Sequence, residues 1–378
     1  MPAASILIKP ASSNCNIGCK YCFYKCLSSS RKEYTKGFMQ DSTLEALVAS
    51  ATSYADGFLS FAFQGGEPLL AGINFFRKAV ALQQKYNTKK LQIENTIQTN
   101  GILINEEWAE FFAENNFLIG LSLDGPKKIH DQYRKTSSNG NTFENVMHAA
   151  SLLKQYNVDF NILSVITNET AKKASYLYKF YKKQGFNFIQ FIPCMDEAGR
   201  NSQASAGVPA VNPEAYGRFL CEFFNLWYED FKSGYRMDIR FFSNLAQMAA
   251  GYPAEQCGMN GYCQCYFAVE GDGSVYPCDF YCTDEWKLGN VTDGFNNLAV
   301  SSKTVSFTEC SRYNLPECKE CPYFNICKGG CRRWREPFIN GMPGLNSLCK
   351  AYKMFFGQAS ERIYKLGRLI KEPGYKLE

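Results

Sequence analysis

The chain has 378 residues, 46% of them apolar and 20% charged, and a net charge of +5 from 41 basic and 36 acidic side chains. That length suits one large domain and a smaller one, and the charge is too mild and too dispersed for a nucleic-acid binder. No apolar run reaches the roughly 18 residues of a membrane span. The start, Met1 to Pro10, lacks the basic end and cleavage site of a signal peptide, so a cytoplasmic protein is expected.

In chain order, strand-like runs fall at Ser5–Lys9, Phe58–Phe63, Leu91–Gln98, Phe117–Leu123, Val158–Ile166 and Asn187–Pro193. Several are apolar on both faces, as strands covered on both sides should be. Helical runs alternate with them: Ser42–Tyr54 behind Asp41 as N-cap, Phe75–Tyr86, Glu106–Asn115, Thr142–Tyr156 and Glu169–Gln184. This rhythm predicts an α/β fold with a parallel sheet. Six strands fall short of a closed eight-stranded barrel, so a partial, TIM-like (β/α)6 barrel is expected. A Gly/Ser/Ala/Pro-rich loop, Ala198–Pro213, leads to an amphipathic helix, Glu214–Phe231. Beyond residue 250 short runs and eleven cysteines replace the rhythm, which puts the domain boundary near 235: 1–235 for the barrel and 236–378 for a cysteine-rich domain with a C-terminal helix.

Cysteine is the outlier, at 17 residues against two histidines, His130 and His148. In a reducing compartment clustered cysteines are metal ligands or catalytic groups more often than disulfides. Soon after the first strand the chain reads Cys15-Asn16-Ile17-Gly18-Cys19-Lys20-Tyr21-Cys22. Three thiolates in this span suit a cubane with one iron left open for a ligand. Cys26 follows four residues later, so a closed four-thiolate zinc or electron-transfer site is the alternative.

The CxxxCxxC loop with an aromatic before its last cysteine resembles the radical S-adenosylmethionine superfamily. Further matches lie at strand ends: Gln64-Gly65-Gly66-Glu67-Pro68, Gln98-Thr99-Asn100-Gly101 and Ser122-Leu123-Asp124-Gly125. The resemblance implies that Cys15, Cys19 and Cys22 hold a [4Fe–4S] cluster. It also implies that Tyr21, Gly66, Glu67, Ser122, Arg134 and Met195 contact S-adenosylmethionine, whose reductive cleavage yields a 5′-deoxyadenosyl radical.

The later cysteines resemble the superfamily's SPASM extension. It implies one auxiliary [4Fe–4S] cluster on Cys257, Cys263, Cys278 and Cys331 and another on Cys318, Cys321, Cys327 and Cys349, three clusters in all. CxxC pairs in isolation also suit zinc. Cys26, Cys194, Cys221, Cys265, Cys282 and Cys310 are left over as small buried residues, with Cys265 the rival of Cys263 for a ligand position.

Three segments are similar to anaerobic sulfatase-maturating enzymes: Leu7–Ser13 with Cys15, Phe61–Pro68 and Gly273–Tyr281. Such enzymes oxidise the Cys or Ser of a sulfatase C/S-x-P-x-R motif to Cα-formylglycine. By that resemblance Asp279 is the catalytic base beside auxiliary cluster I. Tyr24, Gln64 and Gln98 are candidate substrate contacts, each equally suited to packing or hydrogen bonding. The implied partners are an unfolded or nascent sulfatase polypeptide and an electron donor such as ferredoxin or flavodoxin, with no nucleic acid and no membrane. A SPASM maturase that crosslinks peptides is the alternative enzyme, although the 14 residues before Cys15 leave no room for a leader-binding domain there. A non-catalytic iron–sulfur carrier would need none of the strand-end motifs.

Overall fold

The computed structural model describes residues 3–195 and 208–372. Seven parallel strands run side by side: β1 (Ala4–Ile8), β2 (Phe58–Phe63), β3 (Gln92–Thr99), β4 (Phe117–Ser122), β5 (Phe160–Ile166), β6 (Phe188–Pro193) and β7 (Asp238–Ile239). Three short strands extend the β1 edge. They are β8 (Ala268–Val269), parallel to β1, then β9 (Ser274–Tyr276) and β10 (Gly289–Asn290), both antiparallel to their neighbours. The sheet ends on β10 and β7 and is open, so it is a partial barrel.

The helices are α1 (Phe23–Ser29), α2 (Asp41–Tyr54), α3 (Ile73–Tyr86), α4 (Glu106–Glu114), α5 (Lys127–Tyr133), α6 (Phe143–Gln155), α7 (Ala174–Gln184), α8 (Pro213–Lys232) and α9 (Arg240–Ala249). In α2 the residues Leu44, Leu47, Val48 and Ala51 recur at helical spacing and are buried against the sheet. Asp41 is the first residue of α2 rather than its cap; Gln40 stands at the N-cap and makes no side-chain capping bond. The helix expected from Glu169 begins at Ala174. Ahead of it the Thr170 hydroxyl accepts from Thr167 N at 2.7 Å, and a turn at Ala171–Lys173 precedes the helix. Side-chain bonds to nearby backbone compete with helix at such residues.

Of the expected loop 198–213, residues 198–207 lie outside the described residues. Pro213 opens α8, with Asn212 capping the nitrogens of Glu214 and Ala215. The long C-terminal helix Cys349–Ile370 lies on α8 and α9. Close approach is possible because Gly217 of α8 faces the Ala351 backbone and Gly367 faces Ala249. This helix carries the last cysteine of the chain back onto the barrel.

Candidate active site

The C-terminal ends of β1–β6 surround one cavity of about 750 Å³. That is the size of a site for a small cofactor, roughly 300–1,000 Å³. Its wall carries Cys15, Cys19, Cys22, Tyr21 and Tyr24 from the loop after β1, and Gln64 and Gly66 from the turn after β2. Gln98 and Ser122 come from β3 and β4, Met195 follows β6, and Arg134 follows α5. Cys26 is buried in α1 and off this wall, so the loop after β1 turns only three of its four thiols to the cavity; Cys194, after β6, is the other cysteine on the wall. Burial pushes the Cys15 thiol up to about 12. A thiolate there depends on an adjacent cation, which an iron cluster supplies. Among the described residues no three His, Cys, Asp or Glu side chains converge on a single metal ion. A cubane spreads its thiolates over separate irons, so this donor set fits one.

The turn after β2 is set against the cysteine loop. Gly66 has φ +54°, and a Cβ there would lie 2.2 Å from the Asn14 carbonyl oxygen. Glu67 N donates to that same oxygen at 2.8 Å. The Glu67 side chain is not on the cavity wall. Its buried carboxylate accepts from Asn100 N and Thr99 Oγ1, both at 2.8 Å, and from Leu69 N at 3.1 Å. Three donors on one carboxylate tie the turn to the end of β3.

Tyr21, Asp124 and Arg134 form one network. The Tyr21 hydroxyl donates to Asp124 Oδ2 and accepts from Arg134 Nη1 at 2.9 Å, while Asp124 Oδ1 accepts from Val165 N at 3.1 Å. Gln98 Nε2 donates to Ser122 Oγ at 2.9 Å, which fixes two neighbouring groups on the wall. Asp124 and Asn100 lie inside the sequence motifs but were not singled out there. Asn100 Nδ2 donates to Asn16 Oδ1 at 2.7 Å and lies 3.9 Å from Cys15 Sγ.

Asp279 arrives from the turn after β9 and stands just behind the wall. Its Oδ2 accepts from the Tyr24 hydroxyl at 2.6 Å and from Gln64 Nε2 at 3.2 Å, and Gln64 also donates to Tyr24 at 2.8 Å. Lys9 Nζ, from the end of β1, is 3.0 Å from Asp279 Oδ1. Burial by itself would neutralise Lys9, but the carboxylates of Asp279 and Glu270, with the Cys282 thiol, outweigh it and hold the ammonium charged. Glu270 in turn takes Arg31 at 2.7 Å. Lys9 stands within a quoted motif; Glu270 carries no local sequence signal, because the pairing of β1 with β8 is what brings it beside Lys9, and Arg31 reaches it from the segment after α1.

Eight of the remaining thiols form two groups. Cys257, Cys263, Cys278 and Cys331 interact electrostatically with one another. Gly258 abuts Cys331, where an added Cβ would stand 3.2 Å from the cysteine Cβ. Cys318, Cys321, Cys327 and Cys349 line a second, smaller cavity. Cys265 bonds Thr304 and neighbours only Cys263 of the first group.

Two family models match: the radical SAM superfamily over residues 10–180 and an iron–sulfur cluster-binding domain over residues 257–322. The chain is 46% identical over 376 residues to a cysteine-type anaerobic sulfatase-maturating enzyme of Clostridium perfringens, covering 98% of this chain and all of the relative. The chain belongs to the anaerobic sulfatase-maturating enzymes. A serine-type member from Bacteroides thetaiotaomicron is 35% identical, over 93% of this chain and 88% of its own length. A solved structure described as native anSMEcpe with bound AdoMet and Cp18Cys peptide superimposes with a TM-score of 0.89 at 46% identity, over 97% of this chain and 99% of that one. Membership makes the protein a radical S-adenosylmethionine oxidoreductase, with S-adenosylmethionine and three [4Fe–4S] clusters as cofactors. The cluster-binding match takes in Cys257, Cys263, Cys278, Cys318 and Cys321; Cys327, Cys331 and Cys349 lie beyond it. Among the described residues no helix is long and apolar enough to cross a membrane.

Proposed function

We propose that this chain oxidises the cysteine of a sulfatase Cys-x-Pro-x-Arg segment to Cα-formylglycine. The observation that carries the reading is the cavity where Cys15, Cys19 and Cys22 face Tyr24 and Gln64, the two side chains that hold Asp279 Oδ2. Cysteine is favoured over serine because the cysteine-type relative shares 46% identity and the serine-type relative 35%. The first cluster would be held by Cys15, Cys19 and Cys22, with Tyr21, Gly66, Ser122, Arg134 and Met195 around S-adenosylmethionine. The auxiliary clusters would be held by Cys257, Cys263, Cys278 and Cys331 and by Cys318, Cys321, Cys327 and Cys349. Residues 1–235 and 236–378 would be the corresponding functional units.

When bound, these groups supply a 5′-deoxyadenosyl radical that removes one hydrogen atom from the substrate Cβ, and an acceptor for one further electron. The chain's own residues handle the proton. The substrate thiol gives its proton to the Tyr24 oxygen as Tyr24 passes its own to Asp279 Oδ2, and Lys9 keeps the carboxylate oriented from its other oxygen. The resulting carbon–sulfur double bond is exchanged by water for the aldehyde, with hydrogen sulfide leaving. Gln64, and Gln98 through Ser122, order the wall against which the peptide lies. The substrate would be an unfolded or nascent sulfatase in a reducing cytoplasm, and the electron donor a ferredoxin or flavodoxin. The test is anaerobic incubation of the reconstituted chain with S-adenosylmethionine, reductant and paired peptides containing CxPxR or SxPxR. Mass spectrometry should show the aldehyde first and mainly on the cysteine peptide; neither peptide changing would overturn the reading.

A further inference from the structure

Arg332, Arg333 and Arg335 are all buried beside the auxiliary cysteines. Arg333 pairs with Glu336 at 2.7 Å. Among the described residues no carboxylate forms an ion pair with Arg332 or Arg335, although a buried charge ordinarily has an opposite charge beside it. Arg332 is enclosed by the rings of Tyr281, Trp286, Phe307 and Phe338, at 4.1–5.2 Å, and its Nε has no hydrogen-bond partner.

Arg335 is placed differently. Its guanidinium donates to the carbonyls of Ser311 at 3.1 Å, Tyr313, and Gly344 at 3.5 Å. Those contacts orient it but bring only partial charges. Burial opposes its charge, and the groups that favour it are the thiols of Cys318, Cys263 and Cys327, drawn from both cysteine groups. Two non-covalent contacts tie it to both cysteine groups. Ser311, whose carbonyl takes Arg335, also accepts on its hydroxyl from Cys263 N at 2.7 Å. Gly329, between Cys327 and Cys331, approaches so closely that an added Cβ would lie 3.8 Å from Arg335 Cζ.

We propose that Arg335 is the shared counter-cation of the two auxiliary clusters and raises the reduction potential of both. The inference rests on the reading that these eight cysteines hold two clusters. A four-thiolate [4Fe–4S] unit carries a net charge of about −2 when oxidised and −3 after taking one electron. A fixed positive charge stabilises the more negative state, and a buried one is little screened by salt. The protein thereby makes both clusters better acceptors for the single electron that leaves the substrate.

The experiment is an anaerobic redox titration of the reconstituted full chain, followed by electron paramagnetic resonance, with iron measured on the same samples. Wild type is compared with Arg335→Gln and Arg335→Lys. At a fixed ambient potential both auxiliary signals of Arg335→Gln should show an about ten-fold lower ratio of reduced to oxidised cluster, or about 59 mV for one electron. The first cluster should not move, and Arg335→Lys should stay near wild type. Unmoved potentials, a shift confined to one auxiliary cluster, or equal shifts in the Gln and Lys variants overturn the proposal. Where Arg335→Gln releases auxiliary iron, the Lys variant decides: retention with wild-type potentials supports a charge role, and loss of iron there too overturns it. A wild type that binds iron for only one cluster overturns the two-cluster reading and this inference with it, whereas three clusters with unmoved potentials overturns this inference alone.

Discussion

Asp279 shows what the sequence reveals about single residues and what it hides. Its position after Cys278 points to proton transfer beside a cluster, but the neighbours that make this workable come from elsewhere in the chain: Tyr24, Gln64 and Lys9. A carboxylate held from both oxygens can accept a proton without having to be reoriented first. Asp279→Asn keeps the shape and the contact with Tyr24 but cannot take up the proton. Formylglycine production should fall by about 10²–10⁴-fold. Cleavage of S-adenosylmethionine, which would use the Tyr21 and Arg134 side of the cavity, should continue, so 5′-deoxyadenosine should exceed product when both are quantified in one reaction. Equal loss of both would assign Asp279 a structural role. The first cysteine loop was legible from its spacing, whereas the division of the later cysteines into two sets came only from the family resemblance; a motif likewise cannot say which of its side chains turns inward, and the Glu67 carboxylate is taken up by Leu69, Thr99 and Asn100. Gly66→Ala is a companion test, since its Cβ would collide with the Asn14 carbonyl at a left-handed φ. Such strain costs roughly 1–3 kcal/mol, and it should appear as weaker S-adenosylmethionine binding in equilibrium dialysis, with the auxiliary iron retained.

The long elements were readable because their periodicity extends over many residues. Five of the six strand expectations differ from the observed ends by one or two residues, and Phe58–Phe63 agrees at both. The short elements were not: β7 to β10 have two or three residues each, too few to display alternation, and α1 and α5 have seven. Yet α5 places His130 where the site needs rigidity. Its Nδ1 accepts from Asp124 N at 3.4 Å, and its Nε2 lies 3.0 Å from Thr142 Oγ1. Burial first, and the Arg134 charge second, lower His130 to about 3, so it is neutral when folded. In the unfolded chain it titrates near the ordinary value of about 6.5. Below that pH the unfolded state binds a proton that the folded state refuses, and stability is lost as pH falls from about 6.5 toward 3. By pH 5 the difference is about 2 kcal/mol. Thermal unfolding at pH 7 and pH 5 should show a drop of a few degrees that is smaller in His130→Asn. Equal drops in both proteins would assign the acid sensitivity to other groups.

At the scale of the whole molecule, the sequence pattern changes near residue 235, but the hydrogen bonding does not stop there. β7 adds to one edge of the barrel sheet and β8 to the other, and the helix Cys349–Ile370 returns to α8. Short pairings between distant segments leave no periodic trace, so this continuity was invisible in the sequence. The cysteine arrangement was likewise not legible from spacing and was expected only from the family resemblance. Cys331 follows Cys318, Cys321 and Cys327 in the chain but sits with Cys257, Cys263 and Cys278. A cluster on those four would stitch segments 257–278 and 318–349 together, much as a cross-link restricts the unfolded chain. Two kinds of cysteine variant should therefore behave differently. Replacing Cys15, Cys19 and Cys22 by Ala should lower iron from about 12 to about 8 per chain and abolish 5′-deoxyadenosine formation, while thermal stability changes little, because that loop is also held by Asn14, Asn16 and Tyr21. Cys331→Ala should lose a similar amount of iron and keep S-adenosylmethionine cleavage, but melt several degrees lower. Matching melting temperatures with matching iron loss would show that the first auxiliary cluster contributes to electron transfer without fastening the two halves of the chain.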